Sequence, residues 1–284
     1  MNPGQVPVAK HFFCGTACVR HRRMMLPLLL LAAMTDPAAL APTNKWQVEY
    51  ADSMCVLSRD YGSGDDKVTF GLRISPTNMR REVILITPGK ATSERGVAAI
   101  TLLPDGHPVT GTYWRPPLSG SAGNVATAFF EEAALDGVDK AGAIDIRLDK
   151  EGHTVAVPGI AGALAALSKC QDDLLKSWGI DPTERQREAV HVTGNPARFF
   201  GVTAYPPAAV AAHAQGRVTS VVGVDKRGGV TSCTVVVSSG NKPLDDGTCR
   251  IIREQVHLVP ARDKDGNAMA SHYVLPVRWA LPGS

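Results

Sequence analysis

The sequence predicts an α+β fold in two parts: a β-rich N-terminal domain closing with one helix, then a small αββαβ domain built on a three-stranded antiparallel sheet. Three observations carry this expectation. Through residues 46–157, short alternating or β-branched runs recur, each bounded by Gly, Pro, Asn or Asp, the pattern of short strands joined by turns. Residues 159–178 then change to a three- and four-residue apolar spacing, the period of a helix. From Pro206 onward the two periods alternate in the order helix, strand, strand, helix, strand.

With 284 residues, 44% hydrophobic and 20% charged, the chain is long enough for two ordinary domains and has the composition of a globular protein. Its formal charge of +3 sits at the N-terminus, where residues 1–41 hold Lys10, Arg20, Arg22 and Arg23 against Asp36. The remainder is formally neutral, so no basic surface for nucleic acid is implied.

The same basic cluster precedes the apolar run Met24 to Met34, which has the length of a signal-peptide core and falls short of the roughly 20 residues a membrane span needs. Residues 1–41 are expected to be an export signal with cleavage near Ala39-Leu40-Ala41, and Met24 is the more natural start. An uncleaved anchor is the alternative. Export places the chain in an oxidising compartment, where paired cysteines form disulfides. Cys14 and Cys18 lie upstream, which leaves Cys55, Cys170, Cys233 and Cys249 with three possible connectivities.

Residues 42–180 form the expected first domain, of unknown function. Its strands are read at Trp46–Leu57, Lys67–Ile74, Glu82–Thr87, Val97–Leu103, Val109–Tyr113, Ala143–Leu148 and Thr154–Val157, in a mostly antiparallel sheet or sandwich. In the following helix Ile160, Leu164, Leu167, Leu174, Leu175 and Trp178 share a face. Gly179 takes a left-handed stop there, and Pro182 prevents continuation. Cys170 lies near that face and Cys55 in the first strand. A bond between them would close a loop of about a hundred residues and stabilise by about 4 to 5 kcal/mol through loop entropy; two buried thiols are the alternative.

Residues 181–204, rich in charge around Glu184-Arg185-Gln186-Arg187-Glu188, read as a linker spanning about 30 Å as a flexible coil. Residues 205–284 form the second domain. Pro206-Pro207 opens an alanine-rich helix. Arg217–Val224 and Val230–Ser238 flank Asp225-Lys226-Arg227-Gly228-Gly229, a hairpin signal. Pro243 enters a second helix, with Asp245 and Asp246 in its first turn. In the last strand Tyr273, Leu275, Val277, Trp279 and Leu281 alternate on one face.

Taken together, Tyr205-Pro206-Pro207-Ala208, Gly216-Arg217-Val218, the turn at 225–229, Ser238-Ser239-Gly240 before Leu244-Asp245, Pro260-Ala261-Arg262 with Gly266, and the Tyr273–Leu281 strand resemble the C-terminal domain of the TonB energy-transducer family. The resemblance implies a periplasmic location in a Gram-negative bacterium. It also implies a non-enzymatic role in TonB-dependent transport of siderophores or other nutrients. The partner would be an outer-membrane TonB-dependent receptor, whose Ton-box peptide adds as a strand beside the last one. The expected contact strand is His272, Tyr273, Val274, Leu275, Pro276, Val277, Arg278 and Trp279. The alternative is a periplasmic structural or regulatory binding protein that reuses the fold. The family also implies a bond between Cys233 and Cys249, worth about 3 kcal/mol, with free thiols or a metal pair as alternatives. In the family a membrane helix and a long proline-rich segment precede this domain; here the apolar run is shorter and a β-rich region stands in the spacer's place, so inner-membrane anchoring is not expected.

Within the contact strand Pro276 supplies no N–H, which suits an edge position and also removes one donor from that edge. Gly247 stands where a helix former is expected, at a cost of about 1 kcal/mol. An exported hydrolase is the remote alternative, with Ser121 as nucleophile and His107, His153 or His191 as base. The glycine spacing of a nucleophile elbow is missing around Ser121, and there is no HExxH, phosphate loop or CxxC. No cofactor or metal is expected.

Overall fold

The computed structural model describes residues 39–51, 53–74, 81–89, 93–116, 123–186, 191–192 and 196–281. The segment expected to be an export signal, 1–41, falls almost wholly outside these residues, as does Ser121. No helix among the described residues is long and apolar enough to cross a membrane.

The fold is α+β, with a β-rich N-terminal half and a small C-terminal domain carrying a three-stranded sheet. The first half contains β1 (Gln47–Ala51), β2 (Met54–Tyr61), β3 (Val68–Ile74), β4 (Arg81–Pro88), β5 (Glu94–Leu103), β6 (Val109–Arg115), β7 (Gly123–Phe130), β8 (Ala143–Leu148) and β9 (Glu151–Ala156). All nine join one antiparallel sheet in the order β1-β2-β3-β4-β7-β6-β5-β8-β9. It curls until its flanks meet through residues 40–43. Leu40 donates its N–H to Thr154 O (2.8 Å) and accepts from Ala156 N–H (3.0 Å), while Thr43 N–H reaches Asp60 O on β2 (2.9 Å). Curling lets one face of the sheet enclose its own core. Leu57, Phe70, Leu72, Ile100, Ile144 and Ile146 alternate inward and are almost fully buried.

Two expectations change here. Trp46–Leu57 is a tight hairpin rather than one strand, since Tyr50 pairs with Cys55 and Ala51 with Met54 around residues 52–53. The second change is β7, between β4 and β6, which the strand reading passed over. Its buried positions include Ala126 and Ala128, so small residues fill a crowded interior and mute the apolar alternation that marks a strand.

Helix α1 (Ile160–Ser177) follows. Ile160, Ala163, Leu167 and Cys170 pack into the core of the nine-stranded sheet, and the Cys55–Cys170 disulfide (1.98 Å) fixes the helix to β2. Gly179 (φ +75°) ends it with a bond from Ile180 N–H to Leu175 O (2.9 Å), the expected left-handed stop. The far end of α1 serves a second core, in which Leu175 and Ile180, with Trp178, meet Val221, Val274 and Val236 of the C-terminal sheet.

Residues 182–186 and 196–200 are 3-10 turns, and β10 (His191–Val192) pairs with β13 (Leu258–Val259). The segment read as a flexible linker is therefore tied to folded elements at several of its described residues. Arg185 donates to Gln171 Oε1 (2.8 Å) and Ser168 Oγ (2.7 Å) on α1, and Phe199 and Phe200 join the C-terminal core. That domain comprises α2 (Pro207–Ala211), β11 (Gly216–Val224), β12 (Val230–Val237), α3 (Lys242–Gln255), the short hairpin β14 (Ala261–Arg262) and β15 (Ala268–Met269), and β16 (Ser271–Trp279). Its main sheet runs β12-β11-β16, so β16 is an edge strand.

Candidate functional site

The last strand is held by its inward face. Tyr273, Leu275, Val277 and Trp279 point into the core beneath α3, as their alternation requires. Trp279, 2% exposed, donates its indole N–H to Thr248 Oγ1 (2.9 Å), and Thr248 in turn donates to Leu244 O (2.8 Å). Tyr205 and Phe200 meet the Trp279 ring edge-on, with centroids 5.0 and 5.8 Å away. Tyr205 also donates its hydroxyl to Ala214 O (2.5 Å). Tyr205 thus anchors the end of the last strand.

Helix α3 is fixed by local chemistry that the sequence partly displayed. Asn241 caps it, accepting Leu244 N–H (3.3 Å), and Asp245 accepts from Ser239 N–H (2.9 Å) and Ser239 Oγ (2.8 Å). These bonds give the Ser-Ser-Gly and Leu-Asp residues their role. The Cys233–Cys249 disulfide (2.01 Å) ties α3 to β12. Gly247 is buried, and a Cβ there would lie 2.7 Å from Pro206 Cγ. The glycine thus trades helix propensity for close approach of the Pro206 ring.

The outward edge of β16 is what a partner strand would meet. Glu184, its side chain 10% exposed, accepts the backbone N–H of His272 (2.9 Å), the Ser271 hydroxyl (2.8 Å) and contacts His272 Nδ1 (3.0 Å). Burial pushes this carboxyl upward, but the hydrogen bonds from His272 and Ser271 outweigh burial and hold it below the usual glutamate range. Because His272 N–H points away from β11, the two-residue period sends Val274, Pro276 and Arg278 the same way. Pro276 stands opposite Thr219 in an unbroken register with β11, its nitrogen on the outer side where proline is tolerated.

On the side-chain level the predicted contact strand divides in two. Tyr273, Leu275, Val277 and Trp279 give their side chains to the core, and by the same period their backbone groups face β11. Val274 lies in the small core against α1, whereas Pro276 and Arg278 are exposed. The opposite edge, β12, is irregular: register shifts occur beside Ser220 and Val224, and Arg253 donates to Cys233 O (3.0 Å). Bulges and covered carbonyls discourage pairing at an edge. Glu184, which sequence reasoning left in a linker, is the site residue it missed. Its position beside Arg185 carries no signal of an 87-residue contact.

Of the hydrolase candidates, His153 bonds Glu151 (3.0 Å) on β9; the side chain of His191 lies outside the described residues. No group of three His, Cys, Asp or Glu able to hold a metal occurs among the described residues.

Residues 202–281 match the family model of the Gram-negative bacterial TonB protein C-terminal. The match spans the C-terminal domain from the turn before Tyr205 to the end of β16, and the nine-stranded sheet lies outside it. Comparison with curated proteins and with solved structures returned no match.

Proposed function

We propose that this chain is a periplasmic, non-enzymatic binding protein that takes an extended receptor peptide by strand addition along the outer edge of β16. The partner is the Ton-box segment of an outer-membrane receptor, and the process is TonB-dependent uptake of siderophores or similar nutrients. The observation that carries this reading is the edge position of β16 inside a domain matching the TonB C-terminal family. An edge strand presents backbone donors and acceptors that a partner strand satisfies. The test is a titration of Ton-box peptides onto the full chain, with backbone amides of Val274 to Trp279 followed by NMR. Absence of any perturbation there at millimolar peptide would sink the reading.

One observation favours a second reading, a structural or regulatory binder without energy coupling. The small core around Leu175 and Val274 joins the C-terminal sheet to α1, which is bonded to β2, so this domain is held against a folded neighbour rather than carried on a tether. The mature N-terminus discriminates the two: cleavage near Ala41 separates the protein from the membrane and from any motor within it.

A further inference from the structure

Arg217 on β11 and Arg278 on β16 stand directly opposite each other in the register, on the sheet face away from α3. Both are exposed, and among the described residues neither guanidinium has a carboxylate partner. Like charges directly opposed across a strand pair are destabilising. The charge of a third arginine, Arg73 on β3, also acts on Arg217, and its carboxylate partner, Glu82, is already held by its Nε and Nη2. The Arg217 guanidinium lies below the usual arginine value, through partial burial and then repulsion from Arg73 and Arg278, with Glu82 opposing. The face therefore carries an excess of positive charge beside the exposed Pro276 edge, three guanidiniums against the one carboxylate of Glu82.

Resting on the strand-addition reading above, we infer that the strand β16 accepts is acidic and places a carboxylate over the Arg217–Arg278 pair. A strand added outside β16 sets the residue opposite Arg278 on the same face, with Cβ atoms about 5 Å apart. That is within reach of a glutamate whose carboxylate spans the two guanidiniums. The first part of the edge is less accessible, because Glu184 already takes the His272 N–H and would repel an acidic strand. The favoured footprint is Leu275–Trp279, with the acid of the incoming peptide opposite Arg278.

The test uses three blocked heptapeptides of alternating Thr and Val, identical but for a central Glu, Gln or Lys, titrated onto the full chain by NMR. The Glu peptide is expected to bind about fivefold more tightly than the Gln peptide, the worth of one exposed ion pair, with the Lys peptide weakest. The Glu–Gln difference should vanish in Arg278→Gln and in Arg217→Gln, and shrink at about 0.5 M salt. Both side chains are exposed, so the variants should keep the wild-type melting temperature or exceed it. Equal affinities for Glu and Gln, with shifts at Leu275–Trp279, would overturn the acidic preference and leave strand addition standing. A Glu preference that survives both substitutions would overturn the assignment to this pair. If no peptide shifts those amides, strand addition itself falls and this inference with it.

Discussion

Glu184 joins two stretches of chain through one carboxylate, and its protonation state decides whether that junction holds. Its folded pKa is depressed by the hydrogen bonds from His272 and Ser271. Its contribution is therefore complete above the ordinary glutamate range and is lost as pH falls through the depressed folded value. Glu184→Gln should cost about 2 kcal/mol in urea unfolding at pH 7, and the gap to wild type should narrow steadily in acid. A gap independent of pH would mean the contact works through shape rather than charge. Gly247 poses the opposite question, because alanine gains about 1 kcal/mol of helix propensity but meets the Pro206 ring at 2.7 Å. Overpacking costs about 1 to 3 kcal/mol. Gly247→Ala should therefore lower the melting temperature, and a rise would show that Pro206 yields freely.

At the level of elements, the outer edge of β16 is interrupted at one residue. Pro276 denies a partner strand a central donor while keeping its carbonyl. Pro276→Thr restores that donor with a β-favouring residue, so peptide binding should tighten and the chain should self-associate through the exposed edge. Sedimentation at rising concentration reads the second effect, and a monomer throughout would show that another feature guards the edge. The elements of this domain were legible because their causes are local: Asp225 accepts Arg227 N–H and Gly229 N–H (both 2.8 Å) to form the predicted turn, and Pro243 stands in the first turn of α3. Asn241, two residues before that proline, was a readable cap that the sequence reading left unused. The first half was less legible for a physical reason. The curl of the nine-stranded sheet depends on contacts such as Leu40 with Thr154, and β7 places the small residues Gly123, Ala126 and Ala128 at three of its four buried positions. The contacts that define the candidate edge, Glu184 with His272 above all, join positions 88 apart and leave no periodic trace.

Across the whole described molecule, α1 is the member through which its two sheets communicate. One end is bonded to β2 and buried in the larger core. The other lays Leu175 and Ile180 on Val221 and Val274, and Arg185 and Glu184 extend the contact to both α1 and β16. A helix shared in this way should make the sheets unfold together, because neither can lose its packing without exposing part of α1. In the wild-type chain the amides of Ile146, in the larger sheet, and Val222, in the smaller one, should show the same opening free energy by native-state hydrogen exchange, the signature of a global event. Leu175→Ala removes a fully buried side chain at a cost of about 3 kcal/mol, borne where the two sheets meet. That variant should uncouple them, with protection of Val222 falling below that of Ile146. Unequal protection in the wild type would instead mean that α1 belongs to the larger sheet alone, and that the C-terminal domain opens independently.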